Sequence, residues 1–253
     1  MNETTSNRPR RRKRTRMPAE RKNATSVTSK VPTLLVLAMA VGLLAIGGRM
    51  TLAGLAHFQT QAFLDSWVAP ATEPAPRAWA VAERAAQRAV AWYPVANGLY
   101  YDRLGLVYSW QQFQQPYGAA AAQNSRKAAL AAYRAAVEAR PTWPDSWTRL
   151  AHAKLYLLQF DDEFDQALQQ AAALGPWRVG INRELTEIGL TAWPQLDAAQ
   201  QAAIIESARR AVAYGPTEAR RTYQLAEHTG MTDLLCSRLD ASLKSQRGLC
   251  QGK

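Results

Sequence analysis

Hydrophobic positions fall into two regimes along the 253-residue chain. Residues 31–48, VPTLLVLAMAVGLLAIGG, run eighteen positions without a charge. At about 1.5 Å of rise per residue they make about 27 Å of helix, close to the hydrocarbon thickness of a bilayer. A transmembrane helix is predicted over 31–49. From 77 to 253 the apolar positions recur every three or four residues, the spacing of amphipathic helices, with proline and glycine at the turns. Residues 50–76 lie between the two regimes. Leu52, Leu55, Phe58, Phe63 and Leu64 keep helical spacing there. This stretch either extends the spanning helix or lies in the interface, with Trp67 as an aromatic anchor. Pro70, Pro74 and Pro76 then make a short semi-rigid linker.

A repeat organises the second regime. Pro94, Pro141, Pro176 and Pro216 each close an alanine-rich amphipathic stretch. Five residues before them stand Ala89, Ala136, Ala171 and Ala211; eight before, Ala86, Tyr133, Leu168 and Ala208; twelve before, Ala82, Ala129, Phe164 and Ile204. Offsets of twelve, eight and five share one helix face, and small residues there let a partner helix approach. This register resembles the second helix of the tetratricopeptide repeat. Tyr101, Leu104, Gly105 and Tyr108 match the first-helix pattern of that family, and Trp147, Leu150 and Ala151 follow it in the next unit. Leu225 with Ala226 echo it after Pro216, whereas only Leu185 fits after Pro176. The proline spacings of 47, 35 and 40 depart from the 34 residues of the family. The first excess falls in 111–125. The resemblance therefore implies stacked, degenerate helical hairpins rather than a regular peptide groove. Residues 231–249, with Leu234, Leu235, Leu239 and Leu243 apolar, are expected to form one last amphipathic helix capping the stack.

Charge changes the picture less than its total suggests. The net +11 is concentrated in residues 1–30, where ten Lys or Arg face two acids, leaving +3 for the remainder. The run 8–22 is polybasic, carries Pro9 and Pro18 and is expected to be disordered. It could be a nuclear localisation signal, an RNA-binding arm or the flank of the anchor. The spanning segment next to it favours the flank, which stays cytoplasmic by the positive-inside rule. Arg10, Arg11, Arg12, Lys13, Arg14 and Arg16 would then lie on anionic lipid, and the sequons at Asn2 and Asn23 would meet no glycosylating lumen. A basic region of thirty residues and an apolar run of eighteen exceed a cleaved signal peptide, so an uncleaved anchor is expected. No Lys or Arg follows Arg49 until Arg77. That asymmetry is the one expected for an N-terminus inside and a C-terminus outside, with Arg49 able to snorkel to the far interface. The body is then expected on the periplasmic side of an inner membrane if the chain is a bacterial envelope protein.

Candidate chemistry is sparse. His57, His152 and His228 lack metal-ligand spacing, and no nucleophile elbow, phosphate loop or paired-cysteine motif occurs. Neither a cofactor nor a metal is expected. In the cluster Asp161, Asp162, Glu163 and Asp165, either Asp161 or Asp162 is expected to cap a helix, since the central glycine of a calcium loop is missing. Cys236 and Cys250 could pair in an oxidising compartment. If 231–245 is one helix, pairing requires the chain to turn back near Gly248. Trp143, Trp147, Trp177 and Trp193 are either core residues locking neighbouring hairpins or an aromatic docking surface for a partner or saccharide.

A second resemblance involves these tryptophans. RPTWPDSW (140–147) followed by EFDQALQQAAALGPW (163–177) is similar to the VpsP-like family of bacterial polysaccharide biosynthesis proteins. That resemblance implies an N-terminal anchor, a degenerate helical-repeat domain and a role in exopolysaccharide synthesis or export, with no catalytic residues to transfer. The expectation is an all-α, non-enzymatic envelope scaffold: basic tail 1–30, transmembrane helix 31–49, juxtamembrane helix and linker 50–76, repeat domain 77–253. Its partners would be protein components of a polysaccharide or export system. Secretion, pilus or division assembly is the alternative, followed by a glycan-acting enzyme, with Glu184 or Glu187 as test residues, and a nucleic-acid binder through the tail.

Overall fold

The computed structural model describes residues 30–68 and 72–250, all of it helices and turns. The chain divides into two units, 1–44 and 45–253. In the first, residues 30–44 are helical and exposed throughout. The helices in order are α1 Lys30–Val68, α2 Pro76–Trp92, α3 Gly98–Trp110, α4 Gln123–Ala139, α5 Pro144–Tyr156 and α6 Asp162–Leu174. After them come α7 Val179–Thr191, α8 Ala198–Tyr214, α9 Pro216–His228, α10 Thr232–Arg238 and α11 Ala241–Arg247.

Local chemistry sets these bounds. Each register proline stands two residues beyond the last residue of α2, α4, α6 or α8, because a proline disfavours helical backbone in the residue before it. Pro76, Pro144 and Pro216 open α2, α5 and α9, where a missing N–H costs nothing. The Asn97 side chain accepts from the N–H of Leu99 and Tyr100 at the start of α3. Asp161 caps α6 by accepting from Phe164 N at 3.1 Å, and Asp197 with Gln200 forms a capping box on α8.

From α2 to α9 each helix packs on the next, and contacts between helices two apart join the later pairs. All twelve residues at the offsets of five, eight and twelve are buried. They form the face on which α2, α4, α6 and α8 receive their neighbours. The main cluster draws Tyr133, Trp147, Leu150, Phe164, Leu185 and Ile204 together from five helices.

Residues 50–68 continue α1 without a break. Ala53, Ala56, Thr60, Leu64 and Trp67 form a buried stripe on it, packed against residues of α2 and α3. Trp67 is therefore a core residue rather than an interface anchor, with its ring 6.1 Å from that of Trp110. Arg49 lies on the C-terminus of α2, donating to the carbonyls of Ala91 and Trp92 at 3.2 Å. Pro70 falls outside the described residues.

The 111–125 insertion folds onto α5. Gly118, at φ 74°, donates to Tyr156 O at 2.9 Å. Buried Arg126 donates to the carbonyls of Gln115, Pro116 and Tyr156 at 2.5–3.1 Å.

The single C-terminal helix expected over 231–249 is two. The chain is extended at Leu239, and α11 returns so that Leu235, Leu239, Leu243 and Leu249 enter one cluster with residues of α8 and α9. A continuous helix would point part of that set into solvent. Gly248, left-handed at φ 64°, turns the chain again, and Cys236 and Cys250 form a disulfide with Cα atoms 5.9 Å apart. Closing a loop of 14 residues restricts the unfolded chain by about 3 kcal/mol. Cys250→Ser is expected to lower stability by roughly that amount. Thermal unfolding with and without reductant checks this, since reductant should shift the wild type and leave the variant unchanged.

Candidate functional site

The chemistry-bearing side chains converge in a cleft of about 420 Å³ between α3, α5 and α7. Leu106, Ser109 and Trp110 enter from α3, Arg149, His152 and Tyr156 from α5, and Arg183, Glu184 and Glu187 from α7. Leu106 and Trp110, Arg149, His152 and Tyr156, and Glu184 and Glu187 are spaced by three or four residues, so each helix turns one face to the cleft, with Ser109 and Arg183 at its edge. Arg149 and Glu184 are 35 residues apart, as are His152 and Glu187, the separation of Pro141 and Pro176. Two register positions shared by α5 and α7 therefore supply four of the lining residues.

Most of its charges are already matched. Arg149 donates to buried Asp102, which holds the guanidinium firmly protonated against the cost of burial. Arg183 grips Glu218 through two hydrogen bonds at 2.8 and 2.7 Å. Burial lowers the pKa of His152, leaving it neutral at pH 7. Its ring stacks on Tyr156 at 5.0 Å, and its buried Nε2 has no hydrogen-bond partner. Burial pushes the Tyr156 hydroxyl up to about 12. Tyr133 is pushed higher still by burial, although Ser109 shares a hydrogen bond with its hydroxyl at 3.0 Å.

Glu184 and Glu187 are the exceptions. Burial, reinforced by the charges of Asp145 and Glu187 and opposed by Arg149 and Arg183, raises the pKa of Glu184 to about 6. A raised folded-state pKa contributes stability that is complete below the ordinary glutamate value and lost as pH rises through about 6. At neutral pH the ionised carboxylate therefore destabilises the fold. Glu184→Gln is expected to stabilise the protein by about 1–2 kcal/mol at pH 8 and to be nearly neutral at pH 4.5. Urea midpoints at the two pH values measure this. Groups whose burial perturbs their pKa in this way concentrate in functional clefts.

The four tryptophans have separate fates. Trp147 is buried, its Nε1 donating to Pro141 O at 2.6 Å, and half-buried Trp193 packs against two core clusters. Trp143, at the α4–α5 turn, lies between the guanidinium groups of Arg140 and Arg178 at 4.1 and 4.9 Å. Trp177 is 85% exposed and lines a smaller cleft with Arg209, Arg210 and Tyr214. The basic residues Arg10, Arg11, Arg12, Lys13, Arg14 and Arg16 lie outside the described residues.

His57 stacks on Tyr100 at 4.9 Å. No group of three or more His, Cys, Asp or Glu among the described residues is placed to hold a metal ion. Compared with protein-family models and with curated proteins, the chain matches none.

Proposed function

We propose that this chain is a membrane-anchored, non-catalytic scaffold of the bacterial cell envelope, with a tetratricopeptide-like helical domain supporting exopolysaccharide synthesis or export. The observation that carries the scaffold reading is the cleft itself, lined from equivalent positions of α5 and α7 with α3 alongside. Helical repeats present equivalent positions of successive units on one surface, and that surface is where they hold partners. Three things support the placement. Helix α1 is long and apolar enough to span a membrane, the positive charge lies on its N-terminal side, and the Cys236–Cys250 disulfide suits an oxidising compartment. The N-terminus is then cytoplasmic and the body periplasmic. The polysaccharide system rests on the resemblance of 140–147 and 163–177 to the VpsP-like family, and the basic tail on anionic lipid is its membrane-side contact.

A C-terminal reporter active only in the periplasm, with co-purification in mild detergent, tests this reading. Reporter activity together with glycosyltransferase or exporter subunits among the partners is the expected result. A cytoplasmic C-terminus would refute the placement, and secretion or pilus subunits would move the scaffold to another system. The elevated pKa of Glu184 beside Glu187 favours a second reading, a glycan-acting enzyme whose acid is Glu184. Turnover of envelope glycan by the wild type that Glu184→Gln abolishes would establish that reading.

A further inference from the structure

We infer that the cleft between α3, α5 and α7 is a binding site for a cationic group, a lysine or arginine side chain of a partner polypeptide, held by the carboxylates of Glu184 and Glu187. This rests on the scaffold reading and names what the scaffold recognises.

Some charges in the cleft are matched and others are not. Both arginines in the cleft are held by carboxylates outside the acidic pair, Arg149 by Asp102, which Arg103 also approaches at 3.9 Å, and Arg183 by Glu218, which also pairs with Arg221 at 3.0 Å. Asp145, on the same side of α5, is committed to Arg178 at 2.7 Å. His152 is neutral at pH 7 because burial lowers its pKa. What remains is Glu184 and Glu187, one helical turn apart on α7, facing the cleft with no ion pair to any described residue. The cleft therefore presents two carboxylates without ion partners in a setting where water is partly displaced and an opposite charge counts for more than at the surface.

Independent of the acids, the Nε2 of His152 is buried in the same lining without a partner. A buried polar atom left unpaired costs free energy, and a ligand N–H can satisfy this one when the ring proton is on Nδ1. The remaining walls, Leu106, Trp110 and Phe113, are apolar and suit the aliphatic stem of a long basic side chain. An anion would meet two carboxylates and no free cation. A metal ion would lack the cluster of three ligands. A basic side chain meets all of these requirements at once.

Calorimetric titration of the full-length protein in a neutral detergent tests the proposal. The probes are an octapeptide of alternating alanine and lysine, the same peptide with every lysine acetylated, and cadaverine. The lysine peptide is expected to bind at least tenfold more tightly than the acetylated one. A double variant, Glu184→Gln with Glu187→Gln, is expected to lose at least tenfold. Glu138→Gln, which removes one exposed acid elsewhere, should leave binding unchanged. The thermal transition of the double variant shows whether it is folded, and the single variant Glu187→Gln gives an intermediate loss if the acids act together.

Equal affinity for the acetylated peptide, an unaffected double variant or no binding at millimolar peptide would each overturn the cation site. Cadaverine binding as tightly as the peptide would assign the site to a free amine instead and refute the partner side chain. The scaffold reading fails separately: it falls if no envelope protein co-purifies with the wild type, whatever the peptides do.

Discussion

Gly105→Ala is expected to destabilise the helical body by about 1–2 kcal/mol net, although alanine favours a helix interior by about 1 kcal/mol over glycine. A Cβ at position 105 would stand 2.4, 2.7 and 2.8 Å from Cε1, Cδ1 and Cζ of Tyr133. The ring has nowhere to go. It is 2% exposed, and its hydroxyl is 3.0 Å from Ser109 Oγ. The added methyl must push α3 away from α4, the helix against which it packs most extensively. Such overpacking costs about 1–3 kcal/mol in a tight core. Urea unfolding of the wild type, Gly105→Ala, Tyr133→Leu and the double variant separates the contributions. The double variant should be more stable than the sum of the singles by about 1–2 kcal/mol, because leucine leaves room for the methyl. A higher midpoint for Gly105→Ala alone would mean that the two helices are not held this close. Gly189 poses the same problem on α7, where a Cβ would meet Ile204 at 2.3 Å.

Those two contacts mark how far the sequence could be followed. Prolines and small residues act locally, so Pro94, Pro141, Pro176 and Pro216 with the residues five, eight and twelve before them located the buried face of α2, α4, α6 and α8. Length and absence of charge were enough to identify a helix able to cross a membrane. The C-terminal break was hidden because neither glycine nor proline stands at Leu239 or Asp240. The bend follows from how Leu235, Leu239, Leu243 and Leu249 meet α8 and α9, which only the packed molecule specifies.

The cleft was hidden for an electrostatic reason. Its lining was present as a spacing of 35 residues between Arg149 and Glu184 and between His152 and Glu187. Which charges are cancelled depends on Asp102, 47 residues from Arg149, and on Glu218, 35 from Arg183. No local pattern encodes those pairings. The tryptophans show the same limit. Trp143 and Trp147 are one turn apart, yet one lies between two guanidinium groups at a turn while the other reaches the core from inside α5. Residue type fixed neither outcome; position relative to the start of the helix did.

Neutralising Asp161 and Glu163 together should cost more than removing the lysine they hold. Lys154 is 1% exposed, the largest side chain so deeply buried, and its ammonium is paired with both carboxylates. Arg134 braces Glu163 from the other side with hydrogen bonds at 2.7 and 2.6 Å. Asp161→Asn with Glu163→Gln preserves the volumes and the helix cap, since asparagine caps as well as aspartate, but leaves a buried cation without a counter-charge. The expected loss is about 3–5 kcal/mol at pH 7. Lys154→Met should cost about 1 kcal/mol, because its former partners are partly exposed and water can solvate them. The pH dependence separates the two variants. In the wild type, hydrogen bonds from Lys154 to Asp161 and from Arg134 to Glu163 hold both carboxylates below their usual range. The stability they contribute is therefore present above about pH 4.5 and lost as pH falls through their folded-state values. The double variant lacks both carboxylates and should lose that dependence on acid, whereas Lys154→Met keeps the part held by Arg134. Urea midpoints between about pH 3 and pH 7 decide the matter, and a double variant with the wild-type profile would mean that these carboxylates are not held by Lys154 and Arg134.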